Sequence, residues 1–355
     1  MSGKAAQPLV WVISAYRAGE QSQMLALAEA LGWPFVLKQV RYRARGRPFE
    51  LFRCTGLHGL APESAATLVP PWPDIVIGAG MRNEPVCRWV REASGGRARL
   101  VHVGRPWADP PAFDLVVATP QYRLPDAPQM LQNALTMHRV THHHMEAAMA
   151  VHRAALEALP SPRIALMVGG SSGPHAFGRH AAGRLARQAC ALARGLGGSL
   201  MVSTSSRTPA IVADTLRREI SVPHTFYAWR KDDPANPYYA YLGMADRIIA
   251  TFDSISMLSE ASATGRPLYL FDLDHDHSPD APPVPRDHTL ETIGYRMLLR
   301  FGPRRLGRDI TLVHRRMIDE GRAVWLGEEH HLQSTAPSPD VERAVQRVRE
   351  LVGQA

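Results

Sequence analysis

The sequence predicts an α/β protein built from two doubly wound, Rossmann-like domains that face each other across a cleft. Three observations lead there. Short apolar runs alternate with helical stretches through the first half, as a parallel sheet with crossover helices requires. The alternation breaks at Pro160 and Pro162 and restarts at Arg163. A chain of 355 residues is also long enough for each half to bury a core of its own.

The elements follow in order. Val10–Ala15 is the first expected strand, and Gln21–Leu31 a helix with Leu25, Ala28 and Leu31 on one face and Gly32 as its cap. Asp74–Ile77 is a strand that runs into Gly78-Ala79-Gly80, with a helix over Glu84–Glu92 behind it. Arg99–Val103 and Asp114–Ala118 are short apolar strands, each closed by a turn containing proline. Met145–Leu159 is a helix without a sharp apolar face; with Pro160 and Pro162 it is the expected linker. The expected domains are 1–150, 160–333, and a tail helix within 334–355 whose core is Asp340–Leu351.

The second half carries the chemistry. Ala245–Phe271 reads as strand, polar turn, helix and strand, with Gly265 and Pro267 closing the helix. Asp253, Ser254 and Ser256 offer oxygens where a helix must satisfy its first N–H groups. Glu260 follows Ser256 one turn deeper on the same helical face. A helix N-terminus at the carboxyl end of a parallel strand is where such sheets bind a diphosphate, and Glu260 would then reach a ribose hydroxyl. The same residues also read as a well-capped crossover helix with a surface glutamate. Arg163–Gly173 ends a strand in Gly169, Gly170, Ser171, Ser172 and Gly173, where backbone N–H groups could approach a ligand with no Cβ in the way. A helical stretch through Ala181–Leu192 follows it. Gly198–Arg207 is a third strand ending in hydroxyls, and Arg207 is the candidate cation for a diphosphate. Three such strand ends in one half look like the rim of one ligand cleft.

Composition narrows the class. Cys54, Cys87 and Cys190 are too few and too scattered for a disulfide framework or a cysteine metal site, which favours a cytoplasmic protein. The apolar run Leu9–Ile13 is too short for a signal-peptide core, and no stretch approaches the ~18 apolar residues of a membrane span. The formal charge is +8, and only Lys4, Lys38 and Lys231 are lysines, so the surplus is arginine. Its densest patch is Lys38–Arg53, where Arg41, Arg43, Arg45 and Arg47 alternate; an extended segment would turn all four to one face. That patch suits peripheral contact with anionic lipid and equally a solvated loop. No nucleic-acid signature accompanies it, so no nucleic-acid partner is expected. Tyr16-Arg17-Ala18-Gly19-Glu20 is not a G-x-G-x-x-G turn, and Asn83 stands where Gly78-Ala-Gly80 would need its third small residue. Nicotinamide chemistry and P-loop hydrolysis are therefore not expected. The segment Asp272–His277, DLDHDH, reads as a solvated acidic loop, and no metal is assigned to it.

The two α/β halves, the GGSSG turn and the SISMLSE helix resemble the GT-B architecture of nucleotide-sugar glycosyltransferases, and the donor half of the lipid-II-forming N-acetylglucosaminyltransferase in particular. WVISAYRAGEQSQMLALAEALG, PWPDIVIGAGMRN, FDLVVATPQYRLP, IALMVGGSSGPHAF and TFDSISMLSEASATGRPLYLF together resemble the elongated-mitochondria family of fission-associated proteins and its bacterial members. The resemblance covers nearly the whole chain. It implies a metal-independent GT-B glycosyltransferase that uses a nucleotide-diphospho-sugar as co-substrate, with no resident cofactor. Its acceptor would be a glycan or lipid-linked molecule at the cytoplasmic face of the inner membrane. Gly170, Ser171, Ser172 and Gly173 match the donor turn, Ser254 and Ser256 the diphosphate helix start, and Glu260 the ribose acid. Gly19, Glu20 and Gln23 match the first turn of the acceptor side, with Gly80 beside them. Some members carry His or Asp in place of Glu20. A proton-carrying group there suits a general base and equally a helix-start acid. His288 and Glu84 are alternatives for the base. A nucleotide-sugar epimerase and a non-catalytic adaptor of the fission type are the competing readings.

Overall fold

The computed structural model describes residues 7–15, 17–43, 55–279, 281–302, 307–328 and 336–353. The chain divides into two units, Met1–Arg139 with Ser338–Ala355, and Val140–Pro337. Each is a parallel, doubly wound α/β unit.

The first unit runs β1 (Val10–Ile13), α1 (Ala18–Leu31), β2 (Phe35–Lys38), α2 (Pro62–Ala65), β3 (Ile75–Ala79), α3 (Gly80–Ala93), β4 (Arg99–Val103), β5 (Leu115–Ala118) and β6 (Met130–Gln132). Its sheet order is β2-β1-β3-β4-β5-β6, all parallel. The inner strands are continuous apolar runs because helices cover both faces. From β1 the chain moves out to β2 and then returns to the other side of β1 as β3, so the order reverses between β1 and β3. A reversal of this kind opens a crevice at the carboxyl ends of the two strands.

The second unit holds α4 (His142–Glu157), β7 (Arg163–Val168), α5 (Arg179–Leu196), β8 (Ser199–Thr204), α6 (Ala210–Glu219), β9 (His224–Tyr227), α7 (Tyr238–Met244), β10 (Arg247–Thr251), α8 (Ile255–Ser262), β11 (Leu268–Phe271), α9 (Leu290–Phe301), α10 (Thr311–Asp319) and β12 (Val324–Trp325). The sheet order is β12-β11-β10-β7-β8-β9, again parallel throughout. Numbered within the unit, this is the dinucleotide-fold order 3-2-1-4-5-6, with its reversal between β7 and β10.

The observed boundaries depart from the expected ones at two places. Residue 150 falls inside α4, so the expected linker helix belongs to the second unit. It packs there on α7, where Met149 and Met145 leave no room for a side chain at Gly243. The expected tail helix, Asp340–Leu351, is part of the first unit's core. Ala344 and Val348 are fully buried against β-sheet and α1 residues, and the Asp340 carboxylate accepts the N–H groups of Ala134 and Leu135 at 2.9 and 2.8 Å. Helix ends also moved: α1 begins at Ala18 rather than Gln21, and α3 at Gly80 rather than Glu84.

Candidate functional site

The carboxyl edge of the first unit brings together residues that follow β1 and β3. Because α1 starts at Ala18, Gly19 and Glu20 lie in its first turn, where the helix dipole favours an acid. Glu20 reaches over Gly80, the first residue of α3: a Cβ on Gly80 would stand 3.0 Å from the Glu20 carboxylate. Gly80 also has φ +72°, a left-handed conformation that favours glycine. The Glu20 side chain is 19% exposed and lies 3.4 Å from Arg17. Gln23 donates to the Gly19 carbonyl at 3.1 Å and lines a narrow crevice with Gly104, Thr119 and Tyr122 at the ends of β4 and β5. Asn83 ties this edge together by donating to the carbonyls of Ile13 and Ser14. The glutamate held in reserve is structural: Glu84 is buried and accepts the N–H groups of Trp107 and Ala108 at 2.5 and 2.9 Å.

The basic patch is only partly described. Lys38 lies over the Trp11 ring at 4.0 Å and donates to the Thr67 carbonyl, and Tyr42 bonds to Asn83. Arg45, Arg47 and the remainder to Arg53 fall outside the described residues.

In the second unit the three strand ends meet at one buried carboxylate. Asp253, just beyond β10, accepts the Gly170 N–H at 2.9 Å and the Arg207 guanidinium at 2.8 Å. Arg207 also donates to the Ser171 carbonyl, and the Gly169 N–H goes to Thr251 at 2.8 Å. The two glycines are therefore required by close packing rather than by an approaching ligand. A Cβ on Gly169 would stand 2.5 Å from the Asp253 carboxylate, and one on Gly170 would overlap the Arg207 carbonyl. Arg207, expected as a free cation, is partly neutralised, although 40% of its side chain stays exposed. Further along the turn, Ser172 is held by Arg308 and exchanges backbone hydrogen bonds with His175, and Tyr295 covers Gly173. The N–H groups of Ser171 and Gly173 have no protein acceptor among the described residues.

Helix α8 starts at this same edge. Ser254 is its N-cap, but no side chain caps the helix, because Asp253 is turned back to the glycine turn. Its first-turn N–H groups therefore lack intrahelical partners. Ser256 is half-buried. Glu260 is not a surface residue: it is buried and accepts the Tyr238 hydroxyl at 2.6 Å, which fastens α8 to α7. Burial and the neighbouring carboxylate raise the Tyr238 phenol well above its usual range, so it remains a donor.

The DLDHDH segment differs most from expectation. Asp272 and Asp274 are buried, not solvated. Asp274 bonds to His175 Nδ1 at 2.5 Å, and Asp272 receives His277, His275 and two backbone N–H groups. Burial pushes both carboxyls up, but hydrogen bonds from the histidines outweigh it: Asp274 is lowered, and Asp272 falls to about 2. The His175 ring stands edge-on against Phe252 at 4.7 Å, one residue before Asp253, and its Nε2 has no partner among the described residues. Among those residues no three ligating side chains are placed to hold a metal ion. His288 is exposed, and Thr289 rather than His288 caps α9. Asp253 as hub, the His175–Asp274 pair and Tyr238 were missed from the sequence. The one available signal was a histidine placed two residues past the GGSSG turn.

The carboxylate and imidazole shifts predict a defined acid response. Burial lowers His102 in the first unit and His314 in the second to about 4, so both stay neutral when folded. An unfolded chain protonates them near pH 6.5, so folding stability should fall from pH 6.5 to about 4, by about 3 kcal/mol for each. Asp272 adds a second window: its contribution is complete above about pH 4 and is lost as pH falls toward 2. Melting temperature followed from pH 7 to 3 should decline across both windows. His102→Phe should flatten the first for the unit that contains it; an unchanged slope would show that His102 is not buried neutral.

A doubly wound α/β protein with candidate groups gathered at each sheet's reversal point is the class defined by fold and site. The chain belongs to the mitochondrial fission ELM1 family, whose profile matches residues 18–279. It is 24% identical over 226 residues to the mitochondrial fission protein ELM1 of Arabidopsis thaliana, covering 57% of this chain and 52% of that protein. The match thus spans about half the length of this curated relative. Among solved structures, S. aureus MnaA with UDP is similar at 11% identity over 98% of each chain, with a TM-score of 0.49. The Acinetobacter baumannii MurG is similar at 14% identity over 98% of this chain and 91% of that one, with a TM-score of 0.41. At these identities and scores the likenesses say nothing of chemistry.

Proposed function

We propose that the chain is a glycosyltransferase of the cytoplasmic face of the inner membrane. It takes a sugar from a nucleotide-diphospho-sugar and passes it to a cell-envelope glycan or lipid-linked acceptor. One observation carries this reading: Gly170–Gly173, Arg207 and the uncapped N-terminus of α8 converge on the β7–β10 reversal of the second unit. That is where an open α/β sheet holds an anionic ligand. The α8 N-terminus, with about half a positive charge, and the N–H groups of Ser171 and Gly173 would receive the diphosphate. The exposed edge of Arg207 would complete the neutralisation, so that a protein-bound metal is not needed. Glu260, oriented by Tyr238, would accept ribose hydroxyls. Glu20, at the corresponding reversal of the first unit, would take the acceptor hydroxyl's proton.

Isothermal titration with UDP-, GDP-, ADP- and CMP-sugars tests the donor half. One of these should bind, and EDTA should leave the affinity unchanged; a strict requirement for a divalent ion would overturn the metal-free arrangement. Glu260→Ala should weaken binding about tenfold or more, because a hydrogen bond to a charged group contributes about 1.5–3 kcal/mol. Full affinity in a folded Glu260→Ala protein would remove α8 from the site.

The His175–Asp274 pair favours a second reading, nucleotide-sugar epimerisation. With Nδ1–H donated to Asp274, Nε2 keeps a lone pair able to take a proton from a sugar bound in the same unit. Incubating the protein with the bound nucleotide-sugar alone in D2O separates the two. Deuterium incorporation or an epimerised product without any acceptor marks the epimerase. Binding without turnover, with or without an acceptor, marks an adaptor.

A further inference from the structure

Helix α9 presents an apolar stripe that none of the described residues covers. Leu290, Ile293, Met297 and Phe301 are 89, 48, 55 and 72% exposed. Their spacing of three, four and four residues places them on one face of the helix. Thirteen large apolar residues are exposed among the described residues, and five of them, Leu299 included, lie in this one twelve-residue helix. A monomer rarely leaves such a stripe in water without a use for it. Other positions of the helix hold it to the protein: Thr292 is buried, Tyr295 covers Gly173, and Arg296 donates to the Pro174 carbonyl at 3.0 Å. The helix is thus anchored firmly enough to carry load on its outer side.

Charge indicates what covers the stripe. Arg300 is exposed along one edge of it, with Arg296 behind. Between residues 286 and 308 the sequence has six arginines against two acids, Asp287 and Glu291. A short helix with an apolar face edged by an exposed arginine, in a segment with an arginine excess, suits the interface of an anionic bilayer: the apolar side chains enter the acyl boundary and the guanidinium stays at the phosphates.

We propose that α9 docks the second unit on an anionic lipid bilayer, with Leu290, Ile293, Met297 and Phe301 entering the interface and Arg300 at its edge contacting lipid phosphates. This placement stands apart from the sugar chemistry and differs from the Lys38–Arg53 patch expected from the sequence. Flotation of the full chain with vesicles tests it, comparing phosphatidylcholine alone with phosphatidylcholine containing phosphatidylglycerol. The protein should float with the anionic vesicles and remain below with the neutral ones. Ile293→Ser combined with Met297→Ser should lower the partition coefficient about tenfold or more, with the melting temperature unchanged, since both side chains are exposed in the folded chain. Phe301→Ser is the independent single variant and should act in the same direction. Flotation that ignores these substitutions, equal flotation on both vesicle types, or none on either would overturn the proposal. So would concentration-dependent self-association that the double variant abolishes, which would make the stripe a contact between copies of this chain.

Discussion

Glu20→Gln is expected to slow sugar transfer by about 10²–10⁴-fold while leaving nucleotide affinity unchanged, because glutamine keeps the shape and hydrogen bonding but cannot take a proton. The structure sharpens this expectation. Glu20 is 19% exposed at the β1–β3 reversal, with its carboxylate over a glycine whose left-handed φ of +72° favours glycine. Single-turnover rates with saturating donor, together with titration of the nucleotide, separate the roles. If transfer is unaffected and only the melting temperature drops, Glu20 is a helix-start acid. Glu84 cannot then take its place, since both its oxygens already hold the Trp107 and Ala108 N–H groups.

Asp253→Ala should cost about 1–3 kcal/mol of stability, the range for leaving a buried hydrogen-bond donor without its partner, and should abolish nucleotide binding. The carboxylate is almost fully buried and joins three strand ends: Gly170 after β7, Arg207 after β8, and its own strand β10. Removing it strands the Gly170 N–H and frees Arg207 to swing into solvent. The donor turn would then lose the contacts that fix its shape. Against a typical domain stability of about 5–15 kcal/mol, such a loss is a measurable fraction of the whole. Urea unfolding of Asp253→Ala, Arg207→Ala and the double variant measures the coupling; strict additivity would show that the pair does not hold the turn.

Local patterns were legible because they obey rules that act within a few residues. Apolar runs such as Val10–Ile13 and Arg163–Val168 became buried strands because parallel strands covered on both faces must be apolar throughout. Gly32 caps α1 in a left-handed conformation, as its place after the last apolar position indicated. The GGSSG turn, the Ser254 helix start and the family resemblance were visible for the same reason: each is a short, contiguous signal.

What each side chain does at the site was not legible. Asp253 read as a helix cap, but strand order brought the Gly170 N–H and Arg207 to it from 83 and 46 residues away. Glu260 read either as a ribose acid or as a surface glutamate, and neither reading contained the Tyr238 hydroxyl that α7 sets against it. Asp272 and Asp274 read as solvated, yet His175 arrives from 99 residues upstream. The last helix read as a tail, and Asp340 closes on Ala134 and Leu135 across more than two hundred residues. The sequence by itself determined two doubly wound α/β units and where their strands end, because backbone geometry and hydrophobic period are local. Which oxygen meets which donor depends on strand order and register, and those are settled only when distant segments pack together and every buried polar group must find a partner.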